Sequence, residues 1–338
     1  MKLPDPGFLS APLGLVTLLH LLTFTLHLAA MNALLGGVLV VLGAALRGRW
    51  SGPDLARLGS WLPTAMAATV TLGVAPLLFL QMVLPRPVYA AAIVSGWWWL
   101  LVPGAAMAAY YALYRSSHRA ERTGQVSLPA LALAAVALLY VSLAYSAVFS
   151  LAEQPQLIRA LHGGDASGWT WNPPTGEGLL RWLHMTTGAL AVGGFFVAWL
   201  GRDRPPVFAT GRACFLWGML VAALAGSAYL AALRPILRAF MHTPAIWVLT
   251  LAILCSAAAL HLFLKRRFAI AGALLFGSLF GMVYARHTVR LLKLAGSHDP
   301  ATLRIDPQWP LVGLFLLCFA AMLAVLVWLL RIAAKEPA

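Results

Sequence analysis

Carboxylates are scarce in this chain. Ten Asp and Glu stand among 338 residues, and each falls in a loop, a tail or the end of an apolar run. A transporter of protons or cations normally holds an ionisable carboxylate at depth, so transport ranks lowest among the functions considered. Cysteine is scarce too. Cys214, Cys255 and Cys318 stand singly, with no CxxCH and no pair at metal-site spacing. That excludes a covalent c-type haem and leaves the three as small apolar packing residues. The first ten residues lack a basic n-region and the first apolar run continues into a full span, so no cleavable signal is read. Charged residues make up only 10% of the chain and hydrophobic ones 61%, which excludes an ordinary soluble domain and indicates a polytopic membrane protein.

A helical span needs about 20 apolar residues. Nine such runs are expected, at 13–46, 58–84, 90–114, 128–152, 178–201, 212–233, 243–264, 268–292 and 310–332. The fold expected is a single all-α membrane domain, a nine-helix transmembrane bundle covering 1–338, without a convincing internal repeat. The net charge of +14 does not signal nucleic acid, because the basic residues are dispersed among short loops. Arg47, Arg49 and Arg57, then Arg115, Arg119 and Arg122, then Arg202, Arg204 and Arg212, and finally Lys265, Arg266 and Arg267 all fall on one side. The positive-inside rule makes that side cytoplasmic, with the N-terminus outside and the C-terminus inside, as in a bacterial inner (plasma) membrane. Two external segments, 153–177 and 293–309, are punctuated by Pro and Gly and read as ordered caps. The Trp97-Trp98-Trp99 run reads as an interfacial anchor. The connection 234–242 is short and implies a tight antiparallel pair.

Histidines are the polar residues these spans do contain. His20 and His27 stand seven apart on one face of the first span, followed by small residues that include Gly36 and Gly37. Such residues suit a flat macrocycle near a backbone, and equally suit close helix packing. The fifth span opens with Arg181, Trp182, Leu183 and His184, with Gly188 on the histidine's own face. The seventh opens Arg238 to Met241-His242, and the eighth closes Arg286-His287 to Arg290. His184, His242 and His287 all fall at the outer end, beside Arg181, Arg234, Arg238, Arg286 and Arg290. Arginines are disfavoured there, so they need an anionic partner, and haem propionates would serve. Imidazoles without acids point to haem iron, with His27, His184, His242, His287 and His20 as candidate ligands and Met241 as another. A single histidine in a span is also often a hydrogen-bonded packing residue. Gln81, one turn beyond Pro76, could line a quinone or water pocket or make a helix–helix hydrogen bond.

The chain resembles the large subunit of cytochrome bd quinol oxidases. The resemblance rests on His27 followed nine residues later by Gly36, on Leu72-Gly73-Val74-Ala75 leading to Gln81, and on Trp182-Leu183-His184-Met185-Thr186-Thr187-Gly188. It covers roughly residues 10–200. It implies haem b, two or more per chain, with His184 an axial ligand of a low-spin haem and His27 of a second. Met241 or His242 would stand near the other low-spin ligand, and His287 near a ligating Glu of the family. Gln81 and Arg286-His287 stand where that family has glutamates, and its long quinol loop between spans six and seven is nearly absent. The expectation is a haem-b subunit passing electrons between quinol and a periplasmic cytochrome c or iron–sulfur protein, alongside a second membrane subunit and lipid. A divergent oxygen-reducing quinol oxidase and a haem-free structural subunit of a respiratory complex are the alternatives.

Overall fold

A computed structural model of the chain describes residues 8–333. Twelve helices follow in order: α1 (Leu13–Leu46), α2 (Gly52–Val83), α3 (Pro85–Val94), α4 (Gly96–Thr123), α5 (Leu128–Leu151) and α6 (Pro155–Gly164), then α7 (Glu177–Leu200), α8 (Pro205–Ala232), α9 (Arg234–Met241), α10 (Ala245–Leu264), α11 (Phe268–Leu294) and α12 (Trp309–Ala333). Seven of them, α1, α2, α5, α7, α8, α10 and α11, are long and apolar enough to cross a membrane. The α3–α4 pair, bent by 88°, makes an eighth if taken as one span. By helix length and hydropathy the chain is a multi-pass membrane protein.

Successive long helices reverse direction, so the bundle has two ends. One carries the arginine-rich loops. The other carries α3, α6, α9 and the segment before α12, and is called the cap end below. The tightest crossing joins the parallel helices α1 and α7. A Cβ added at Gly36 would stand 1.9 Å from the Ala189 carbonyl oxygen, and one at Gly193 would stand 2.3 Å from the Gly36 carbonyl carbon. The neighbouring face of α7 packs on α8 by the same means. Gly194 lies against Gly211 and Phe215, and Gly218 against Ala191. Lipid tails are as apolar as leucine, so close backbone approach supplies the attraction that the hydrophobic effect cannot. Phe195, Phe215, Phe263 and Phe268 tie α7, α8, α10 and α11 together near the arginine-loop end. The outer faces of α8 and α10 are open, with Trp217 66% and Trp247 76% exposed.

Several connections differ from the sequence expectation. The run 90–114 is not one helix, since the chain turns at Ser95 between α3 and α4. The connection 234–242 contains a helix of its own, α9, and the flanking α8 and α10 each pack on α9 instead of forming the tight antiparallel pair expected. The tryptophan run is a clasp. Trp97 stacks on Trp169 with centroids 5.1 Å apart, Trp98 Nε1 donates to the Trp169 carbonyl at 2.9 Å, and Trp171 packs on Trp98 at 5.1 Å. These contacts fasten the 165–176 loop over the start of α4, while Ile158 of α6 is buried against α3 and α5. The other cap segment is held by the N-terminus, where Leu9 N–H donates to Arg304 O at 2.8 Å and Asp306 N–H to Leu9 O at 2.9 Å.

Candidate functional sites, two matched histidines and a buried ionic cluster

His27 and His184 occupy equivalent places. Each precedes, by nine residues, the glycine that makes the α1–α7 crossing, Gly36 and Gly193 respectively. At 1.5 Å per residue both imidazoles stand roughly 13 Å from that crossing, towards the cap end. Each ring reaches the next helix in the chain. His27 Nδ1 donates to the Thr69 carbonyl of α2 at 3.0 Å, and His184 Nδ1 donates to the Ala222 carbonyl of α8 at 2.8 Å. One turn beyond each carbonyl stands a glycine that the ring requires. A Cβ at Gly73 would be 2.9 Å from His27 Cε1, and one at Gly226 would be 2.8 Å from His184 Nδ1. A carbonyl can only accept, so Nδ1 carries the proton and Nε2 of the neutral ring is left as a lone-pair donor. Metal-bound histidines are usually oriented by this same bond to a carbonyl.

His20 follows a similar rule, with Nδ1 donating to the Pro76 carbonyl at 3.1 Å. Its ring stacks on Phe24 at 5.7 Å, Phe24 stacks on His27 at 6.4 Å, and the other side of His20 meets His287 of α11 at 6.0 Å. Four rings therefore form a ladder from His27 to the cap end. His287 is buried and its Nδ1 has no hydrogen-bond partner among the described residues.

The arginines have an anionic partner inside the protein. Glu153, two residues past the end of α5, turns inward until its side chain is 2% exposed. Arg286 is paired to its Oε1. Arg290 Nε lies 3.5 Å from the same oxygen, Arg181 Nη1 3.9 Å, and Lys293 Nζ is 3.4 Å from Oε2. Lys293 also pairs with Glu177 at the start of α7. Arg181 Nη2 donates to Ser150 Oγ at 2.6 Å and to the Ser146 carbonyl at 3.0 Å, which joins α5 to α7. Burial alone would raise the Glu153 pKa, but Arg286, Arg181, Arg290 and Lys293 outweigh it and hold the carboxyl at about 2.

The structure does not gather all the residues that sequence singled out. Arg181, Arg286, Arg290 and His287 come together at the cap end, with His20 beside them. Arg238, Met241 and His242 lie exposed on and after α9, which packs on α8, α10 and α11. Gln81 is half-buried in α2. Gly36, Gly193 and Gly194 serve helix packing, whereas a Cβ at Gly188, one turn from His184, would meet no atom within 4 Å. Sequence reading missed Glu153, Lys293 and Glu177 as members of a buried site. It also missed the pairing of His20 with His287. No group of three or more His, Cys, Asp or Glu able to hold a bare metal ion occurs among the described residues. A bare ion takes three or four protein ligands, whereas an iron porphyrin needs only one or two axial ones. Comparison with family models, with curated proteins and with solved structures gives no match.

Proposed function

We propose that the chain is a haem-b membrane electron-transfer subunit resembling the large subunit of cytochrome bd oxidases, with its N-terminus outside and nine spans once α12 is counted. It would pass electrons between quinol in a bacterial inner membrane and an external cytochrome c or iron–sulfur protein. The observation that carries this reading is the duplicated histidine arrangement. His27 and His184 each stand at the same distance from one helix crossing, each is oriented by a carbonyl through Nδ1, and among the described residues Nε2 of each makes no hydrogen bond. Two equivalent axial-ligand sites suit two haems. The residues present are compatible with such a group, since the orienting bond is the one metal-bound imidazoles use, and a Cβ added at Gly188, one turn from His184, would meet no atom within 4 Å. Haem b supplies reversible one-electron chemistry at iron. The chain's part is to hold each imidazole in one tautomer and to exclude water, and both shift the potential.

The open apolar faces of α8 and α10 favour a second membrane subunit or lipid there. The Trp-clasped 153–177 segment and the 293–309 segment offer a docking surface at the cap end. The oxidase alternative gains one observation. Glu153, His287 and His20 are titratable groups buried in one region, which the sequence alone did not supply.

Pyridine-haemochrome counting and reduced-minus-oxidised spectra of the purified protein test the reading. Two b-type haems per chain are expected. His184→Ala should remove one and His27→Ala the other, while both variants stay folded. Retention of both haems in both variants would overturn the assignment, and a carbon-monoxide shift would move it to the oxidase.

A further inference from the structure

The cluster at the cap end is not charge-balanced. Among the described residues, Arg181, Arg286, Arg290 and Lys293 face only Glu153 and Glu177, an excess of two positive charges in a region where Arg181 and Arg290 are each under a tenth exposed. Its hydrogen-bonding is also incomplete. Arg181 Nε, Arg286 Nη1, His287 Nδ1 and Tyr229 Oη are buried, and none finds a partner among the described residues. Arg181 and Arg286 both reach Glu153 Oε1, which gathers the two guanidiniums and their unpartnered N–H groups in one buried cluster. Tyr229 of α8 packs on a cluster that contains Ala285 and Val289, which stand on either side of Arg286 along α11. Buried donors of native proteins are almost always satisfied, and charged ones cost most when they are not. Planar guanidinium groups on two different helices, with N–H edges to spare, form a receptor for a planar or tetrahedral oxyanion.

We propose that this cage, between α5, α7, α8 and α11, binds an oxyanion, a carboxylate or phosphate group that accepts from Arg181 Nε, Arg286 Nη1 and Tyr229 Oη. Glu153 positions the two arginines rather than competing for the ligand, because it occupies one N–H edge of Arg286 and leaves the other open. The exposed arginines Arg234 and Arg238 take no part. A group free in solution and one carried on a bound molecule meet the same chemistry at this site. The inference stands whether or not haem is bound.

The test uses the full-length protein in discs of neutral lipid, prepared haem-free and after haem addition, with inorganic phosphate and acetate titrated at constant ionic strength. The haem-free protein should show a saturable rise in its unfolding midpoint of a few degrees, as expected when a ligand binds only the folded state. Tyr229→Phe, which leaves every ion pair intact, should weaken that response severalfold. Arg286→Gln should abolish it, and Arg238→Gln should leave it unchanged. A rise confined to the haem-free protein identifies the natural ligand as a carboxylate carried on the haem. A rise in both preparations identifies a free or lipid-borne anion. No saturable rise in either, or an equal rise in Tyr229→Phe and Arg286→Gln, would overturn the site. If the protein takes up no haem, the function proposed above fails while the phosphate titration still decides this one.

Discussion

Glu153→Gln is expected to destabilise the protein by about 3–5 kcal/mol, the usual cost of deleting one partner from a buried ionic cluster. The substitution keeps the side chain's size and removes the charge on which three arginines and a lysine converge. The excess positive charge of the cluster's described residues would rise from two to three, and α5, α7 and α11 would lose their common tie. Exposed Arg238→Gln should change stability by no more than about 0.5 kcal/mol. The pH dependence follows from the same group. The Glu153 carboxyl is held at about 2 in the folded protein, below its ordinary value of 4.5. A depressed carboxylate contributes stability that is fully present above the unfolded value and is lost as pH falls through the folded one. The cluster should therefore hold at neutral pH and weaken between about pH 4.5 and 2, by about 3 kcal/mol over that range. Thermal unfolding in detergent across that range, on the wild type and Glu153→Gln, measures the effect. The variant should lose the acid-dependent step. A variant as stable as the wild type at pH 7 would mean that the arginines do not depend on this carboxylate.

Seven of the nine expected spans were legible as single long apolar helices because hydropathy sets them, and α1 runs over 13–46 as read from the sequence. The break at Ser95 was overlooked, because the turn dipeptide Ser95-Gly96 lies inside a continuous apolar run whose length alone fits one span. Glu153 was illegible for a different reason. It stands in the polar stretch after α5 and meets Arg286 133 residues further on, so locally it looks like any solvated loop acid. The clue was on the other partners. Arg181, Arg286 and Arg290 at helix ends, on the side that the charge pattern reads as external and so unfavourable for arginine, called for an anion. Sequence could not say that the chain itself supplied one. The matched histidines were half visible. The nine-residue spacing from His27 to Gly36 and from His184 to Gly193 can be counted in the sequence. Its meaning depends on the two glycines touching across parallel helices, and on Gly73 and Gly226 clearing room for rings that arrive from another element.

Gly36→Ala is the second substitution expected to do substantial damage. The added methyl would have to sit 1.9 Å from the Ala189 carbonyl oxygen and 2.8 Å from Gly193 Cα. Both are backbone atoms of a continuous helix, so no side-chain rotation relieves the clash and α1 must move away from α7. Overpacking of this kind costs typically about 1–3 kcal/mol and sometimes more, and the helical preference of alanine over glycine, about 1 kcal/mol, offsets part of it. Gly277→Ala is the matching control, because an added Cβ there meets nothing within 4 Å; it should be neutral or mildly stabilising. Gly193→Ala strains the same crossing from the other side. The double variant should therefore cost less than the two single losses combined, since one separation of the helices relieves both. The functional consequence separates this strain from a ligand deletion. His27 and His184 stand on the two helices that the crossing joins, both on its cap side, so on the proposed haem reading Gly36→Ala should lower the occupancy of both sites together, whereas His184→Ala should empty one. Unfolding midpoints and haem content measured on the same preparations give both readings. A Gly36→Ala protein with wild-type stability would show that the α1–α7 contact is looser than the backbone distances require.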